Sequence, residues 1–415
     1  MIYKVKSENY GGKISIPSSK SDSQRAILAA GLCTEISTIY NVGNSADEKV
    51  MLNAIQQLGA EVTSNQDNSI SIKGVNNINN KIEISCGESG LSSRLLISVA
   101  SIFDKQIKLS ASGSLLNRSM KLIFDILPKL NVEINSDEDF LPAIIKGPIN
   151  SGEITIDGSM SSQFLSGLLM ALPLVKGNSI IHVENLTSTP YIEMTINTLS
   201  KFGISIENQD FKKFLIKGNQ VYKKTDYTIE SDWSSSSYWL VASALGKEIE
   251  IFGLSKESLQ ADKAILNAFE YANCEIIWSS NSLKIGGKQR KAFEFDATNC
   301  PDLFPALASF AALTNGISKI KGVHRLKHKE SDRGQSIQEE FQKLGIKVKF
   351  EEDLMLIYGK SSIEGGKVFA HHDHRIAMCL AVLGMFSKSE IEIENAESVS
   401  KSYPNFWEDL ESLEL

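Results

Sequence analysis

Arginine is scarce in this chain, with seven residues against 36 lysines, and so are cysteine, with five, and proline, with nine. The cysteines, Cys33, Cys86, Cys274, Cys300 and Cys379, are odd in number, widely spaced and without a C-x-x-C pair. That pattern speaks against a disulfide framework or a zinc site and fits a reducing cytoplasm. Positive charge is not in excess either: a formal net charge of -7 with no basic stripe argues against a general nucleic-acid binder. No apolar run approaches the length of a membrane span, and the start, Met1 to Val5, is strand-like without an apolar signal core. The expectation is a cytoplasmic protein with no membrane partner. No GxxxxGK or GxGxxG string follows a strand pattern, so nucleotide binding has no support.

What is present is a division of labour between two cations. Arg25, Arg94, Arg118, Arg325, Arg333 and Arg375 stand in polar clusters beside apolar helical stretches, and only Arg290 lies elsewhere, whereas lysine is scattered along the whole length. A flexible ammonium suffices for solubility, but a planar guanidinium fork holds a phosphate or carboxylate in one orientation. Reserving arginine for such clusters points to an oxyanion site. An acidic chain can still take acidic substrates if its cations are concentrated locally.

At 415 residues the chain exceeds what one core usually supports, so two domains are expected. Six times, at intervals of about 70 residues, a polar or small-residue cluster opens an apolar stretch of helical length. The openings are Lys20 to Arg25, Glu88 to Arg94, Ser159 to Gln163, Asp232 to Ser236, Pro301 to Pro305, and Asp373 to Arg375. Serine and aspartate at such starts cap the free amides of a first helical turn. Capping does not explain Lys20, Arg25, Arg333 or Arg375: a cation at the positive end of a helix dipole is slightly unfavourable until an anion joins it. After each apolar helix come a strand-like segment, as in Gln106 to Leu109, Ser179 to Val183 or Glu248 to Phe252, a polar loop and a second amphipathic helix. Leu58-Gly59-Ala60, Phe202-Gly203-Ile204 and Leu344-Gly345-Ile346 place glycine just past the end of that second helix.

These periods predict an α/β (α+β) fold of two similar domains, each of three repeated β-α-β-α-β-type units. Residues 18–228 form the first domain, and residues 1–17 plus 229–415 the second, with a first strand, Ile2 to Ile16, joining the second half. Two crossings, near Pro17 and near Thr228, predict a double-crossing hinge and an active site in an inter-domain cleft lined by the polar openings.

Several strings then stand out together: Pro17 to Arg25, Ser161 to Leu165, Ser188 to Tyr191, Pro301-Asp302, Lys329 to Arg333, Asp373 to Met378, and Lys401. In this order, over essentially all of the chain, they resemble the 5-enolpyruvylshikimate-3-phosphate synthases. The resemblance implies domains of the enolpyruvyl transferase type, inside-out α/β barrels. It also implies a transferase of the shikimate pathway, on the route to chorismate and the aromatic amino acids. The 5-hydroxyl of shikimate 3-phosphate adds to the central carbon of phosphoenolpyruvate, and the adduct expels phosphate without any cofactor or metal. A monomer with these two small-molecule substrates is expected.

By the same resemblance, phosphoenolpyruvate is held by Lys20, Arg118, Arg333, Arg375 and Lys401, assisted by the Gly90 amide and Gln163. Shikimate 3-phosphate falls to Ser21, Arg25, Ser161, Ser162, Gln163, Ser188, Asp302 and Lys329, with Tyr191 beside its ring, and His374 joins the substrate-binding set. Asp302, Glu330 and Lys20 are the candidates for proton transfer, Asp302 first as base, the division among them being left open.

The family's usual Asn-Ala-Gly-Thr turn is here Glu88-Ser89-Gly90-Leu91, and the proline that commonly follows its arginine is Leu95. Glu88 adds negative charge near an anion site, so it either points away or pairs with a cation and tunes phosphoenolpyruvate affinity. Arg325 stands where some relatives carry a neutral amide, and ligand and structural ion pair both remain open for it; Arg94 is read as a support for the Gly90 turn. The run His371-His372-Asp373-His374 suggests a metal, but the adjoining Arg375 argues for an anion. Two rivals differ in kind. An enolpyruvyl transferase acting on UDP-N-acetylglucosamine usually carries a loop cysteine, which Ser110 to Arg118 lacks. A non-catalytic anion binder, motivated by Glu88 and Leu91, would have no need of an acid and base pair.

Overall fold

The computed structural model describes residues 1–76, 78, 81–287, 289–327 and 329–415. They form two compact units, one of Lys20–Ile229 and one of Met1–Ser19 with Glu230–Leu415. Where the chain passes between units its two segments lie side by side: Ser19 donates its amide to the Glu230 carbonyl at 2.7 Å and Asp232 to that of Pro17 at 2.9 Å.

The six polar openings all start helices: Lys20–Gly31, Gly90–Ala100, Ser162–Ala171, Trp233–Ala244, Phe304–Ala312 and His374–Gly384. Their caps are the expected ones, with Ser89, Ser161, Asp232 and Asp373 each accepting a first-turn amide. Phe304–Ala312 and His374–Gly384 are buried at every position. A helix buried all round is core, and each fully buried Leu or Phe in it contributes on the order of 2 kcal/mol.

Around these helices lie short strands in one repeated order. Lys81–Ser85 runs parallel to Gln106–Ser110, which pairs antiparallel with Ala143–Lys146, itself antiparallel to Glu133–Ser136. The same arrangement joins Glu153–Asp157, Ser179–Glu184, Lys213–Ile216 and Ile206–Gln209. In the third sheet of this unit the first strand, Asp226–Thr228, comes from the end of the segment and pairs parallel with Ile36–Tyr40, which closes the unit on itself. Strands such as Lys81–Ser85 alternate exposed and buried positions, so one face covers the helices and the other meets solvent. Helices inside and sheets outside describe each unit. Every second helix but the last is followed by a hairpin, one strand more than the repeat predicted from sequence. Gly59, Gly203 and Gly345 take φ of 107°, 77° and 75° just past three of those helices, as the left-handed cap requires.

One expectation is corrected. The single strand expected from Ile2 to Ile16 is two: Ile2–Val5 pairs antiparallel with Ile391–Glu394, and Gly11–Ser15 pairs parallel with Glu248–Phe252. One strand cannot serve two sheets in opposite senses, and residues 6–10 connect the two. Ile2–Val5 completes the three-stranded sheet of the last repeat, while Gly11–Ser15 opens the first sheet of its unit. No helix among the described residues is long and apolar enough to cross a membrane.

Candidate active site

In the unit containing the C-terminus, Asp302 sits on the 3-10 turn Pro301–Leu303 that leads into a buried helix. Its Oδ1 accepts from Lys329 Nζ at 3.1 Å and Arg333 Nη1 at 2.7 Å, and its Oδ2 from Arg375 Nη2 at 2.9 Å. Arg333, 1% exposed, begins the helix Arg333–Lys343 and uses its remaining nitrogens on carboxylates: Nε reaches Asp373 Oδ2 at 2.8 Å and Nη2 reaches Glu330 Oε2 at 2.6 Å. Asp373 also caps the helix that carries Arg375, accepting its amide at 2.9 Å. Two helix starts that carry cations are thus held together by acidic partners.

Burial pushes the Asp302 carboxyl up, but Arg375, Lys329 and Arg333 outweigh it and hold the group well below the usual carboxylate range. Burial, with Arg333 and Arg325, pulls Lys329 below the ordinary lysine value despite the attraction of Asp302. Behind this layer lies Asp262, which the sequence reading did not single out. It is 1% exposed and accepts a short hydrogen bond from the Ser234 hydroxyl. Burial and the nearby Asp302 charge push its carboxyl up to about 7, with Arg375 opposing them. Asp262 Oδ1, Arg375 Nε and the Tyr238 hydroxyl are all buried without a hydrogen-bond partner among the described residues.

In the unit Lys20–Ile229 a second set of the expected residues gathers at three helix starts. Lys20 pairs with Asp47 at 3.0 Å. Arg25 donates to Thr195 Oγ1 at 2.8 Å and to the carbonyls of Ser21, at 2.7 Å, and Tyr191, at 3.4 Å, so all three acceptors are neutral. Burial lowers this guanidinium to about 10, which leaves it charged at neutral pH. Ser188 takes a left-handed conformation, φ 59°, at the cap of the helix Thr189–Lys201 that carries Tyr191. Arg94 donates to Gln163 Oε1 at 2.5 Å and lies over the Phe164 ring, so it orients Gln163 beside Ser161 and Ser162. Gly90 starts its helix close to Arg118: a Cβ there would lie 2.8 Å from Arg118 Nη1.

The histidine run disperses. His371 Nε2 meets Glu340 at 2.7 Å, the His372 amide goes to Asn395 Oδ1 at 2.6 Å, and His374 is buried beside Asp373. Glu339, Glu340 and His371 could together face a cation, but Glu340 already accepts from Lys343 and the Phe369 amide. Lys401 donates to the His372 carbonyl at 2.9 Å. Arg325 ends the 3-10 turn Val323–Arg325. Besides Asp262, sequence reading missed Asp47 and Thr195 as partners of the expected cations, and Asp373 as more than a helix opening. For Asp47 and Asp373 the signal was an acid at a helix start, which capping explains equally well, and Thr195, in the middle of the helix Thr189–Lys201, carried none.

The family described as EPSP synthase (3-phosphoshikimate 1-carboxyvinyltransferase) matches residues 5–410. The chain is 40% identical over 407 residues to a 3-phosphoshikimate 1-carboxyvinyltransferase of Clostridium acetobutylicum, covering 97% of this chain and 95% of the relative. It is 38% identical over 404 residues to that of Clostridium kluyveri, with the same coverage of 97% and 95%. Two solved EPSP synthase structures from Acinetobacter baumannii align over 100% of this chain and 98% of theirs, with TM-scores of 0.82 and 0.80 at 23% and 22% identity, a likeness of fold. With a family match spanning both units and relatives this similar along nearly their whole length, the chain belongs to the EPSP synthase family.

Proposed function

We infer that the protein transfers the enolpyruvyl group of phosphoenolpyruvate to the 5-hydroxyl of shikimate 3-phosphate and releases inorganic phosphate. The observation that carries this reading, in a chain of this family, is Asp302: a carboxylate kept ionised by Lys329, Arg333 and Arg375. The acceptor oxygen bonds to C2 of phosphoenolpyruvate, its proton passes to a base, and C3 takes a proton to become a methyl group. The bond from C2 to the phosphate oxygen then breaks, the methyl group returns a proton, and the enol ether and phosphate leave.

Two substrates bearing phosphates and carboxylates need fixed cations, because charge developing at C2 and on the leaving oxygen is stabilised best by groups already oriented. Lys20, Arg118, Arg333, Arg375 and Lys401, with Gln163 and the Gly90 amide, are assigned to phosphoenolpyruvate. Ser21, Arg25, Ser161, Ser162, Ser188, Tyr191 and Lys329 are assigned to shikimate 3-phosphate. A carboxylate gripped by three cations is a weak base. Substrate anions compete for the same guanidinium faces, and each cation drawn away from Asp302 raises its affinity for a proton toward what the acceptor hydroxyl requires. Glu330 and Lys20 are the donors available for C3 and the leaving phosphate.

Phosphate release from phosphoenolpyruvate, with shikimate 3-phosphate and UDP-N-acetylglucosamine compared as acceptors, tests the reading. Release with shikimate 3-phosphate alone is expected. Release with only the nucleotide sugar would move the protein to the other enolpyruvyl transfer, and folded protein inactive with both would make it a binder.

A further inference from the structure

Glu88, the acidic residue at a turn that carries asparagine in the family's usual pattern, faces the segment leading to Arg118. Its Oε2 accepts the Ser114 amide at 3.2 Å and the Ser114 hydroxyl at 3.4 Å. The same hydroxyl oxygen accepts from Arg118 Nη2 at 3.3 Å, so one serine bridges an acid and a base. Ser114 belongs to the 3-10 turn Gly113–Asn117, which ends at Arg118. On its other side this segment is fastened by backbone, the Ser112 amide reaching the Gly87 carbonyl at 2.8 Å. The carboxylate lies so close that a Cβ on Gly113, whose φ is 53°, would fall 2.3 Å from the Glu88 carboxyl carbon. Arg118 itself is 8% exposed.

We propose that Glu88 is a positioning residue for Arg118: its carboxylate fixes the Gly113–Asn117 turn that presents the guanidinium, and its charge weakens the pull of that guanidinium on the phosphoenolpyruvate anion. The proposal rests on the assignment of Arg118 to phosphoenolpyruvate given above. Clamp and charge are separable. Glutamine keeps a carbonyl oxygen for the Ser114 amide and hydroxyl but carries no charge, whereas alanine removes both. A residue that only stabilised the fold would not move the two variants in opposite directions.

The test is steady-state kinetics of wild type, Glu88→Gln and Glu88→Ala, with amide hydrogen exchange over Ser114 to Arg118 in protein without substrates. Glu88→Gln should lower KM for phosphoenolpyruvate by about threefold or more, with kcat within about twofold and KM for shikimate 3-phosphate unmoved. Glu88→Ala should raise KM for phosphoenolpyruvate by about fivefold or more and speed exchange across the turn, which Glu88→Gln should leave protected. If Glu88→Ala does not fold, Gly113→Ala, which pushes the carboxylate off the turn, serves in its place with the same expectation. Both variants shifting KM in one direction, equal shifts for the two substrates, or unaltered exchange in the alanine variant would overturn the proposal. A wild-type protein that releases no phosphate refutes the functional reading instead, and the exchange comparison still decides the clamp.

Discussion

Arg333 donates from Nη1 to Asp302 Oδ1 at 2.7 Å while its other nitrogens hold Glu330 and Asp373, so one buried guanidinium orders three carboxylates. A lysine ammonium reaches fewer of them and lacks the fork geometry. Arg333→Lys therefore leaves buried acid unpaired and should destabilise this unit by about 3–5 kcal/mol in urea unfolding, with kcat/KM reduced by about 100-fold or more. Stability within about 0.5 kcal/mol of wild type would show that the three contacts carry no net energy.

Asp302 is the base in the proposed reaction, and asparagine is nearly isosteric without being able to take the proton. Asp302→Asn should bind both substrates by calorimetry yet lose about 100-fold or more in kcat. Unchanged turnover would move the base elsewhere, with Glu330 the first candidate.

Asp262 gives a pH signature. Its folded pKa lies at about 7 against an ordinary 3.8, so between those values the folded protein holds a proton that the unfolded chain has lost. Stability from this group therefore falls as pH rises through that window, and the full penalty, on the order of 4 kcal/mol, is present above it. Asp262→Asn keeps an acceptor for the Ser234 hydroxyl and removes the titration. Its stability relative to wild type should climb from pH 4 to pH 8. A difference independent of pH would refute the burial argument.

Gly90 borders Arg118 so closely that a methyl group there would meet Nη1 at 2.8 Å. Gly90→Ala should raise KM for phosphoenolpyruvate by about tenfold, through displacement of the guanidinium, while KM for shikimate 3-phosphate and thermal stability change little. Equal effects on both substrates would point to a general disturbance of the helix start.

The six helix starts could be read from sequence because polar caps followed by apolar runs leave a strong one-dimensional signature, as at Asp232 and Asp373. The hairpins were harder, since strands of four residues such as Ile206–Gln209 are too short to establish a period of two. The break between Val5 and Gly11 was hidden because pairing partners as far away as Ile391 decide it. Among site residues, Lys20, Arg25, Arg333 and Arg375 were visible as cations that capping could not explain. Their counter-charges Asp47 and Asp373 looked like ordinary first-turn acids. Asp262 had no signal at all: what distinguishes it is burial beside Ser234 and the Asp302 charge, which only the folded chain brings about.

The central claim is that the protein moves an enolpyruvyl group, and phosphorus NMR of one reaction tests it most directly. Purified protein incubated with phosphoenolpyruvate and shikimate 3-phosphate should convert the phosphoenolpyruvate signal into an equal amount of inorganic phosphate. The shikimate phosphate signal should remain as a phosphomonoester shifted by the new 5-ether. Folded protein that binds both compounds but leaves both signals unchanged would contradict the account.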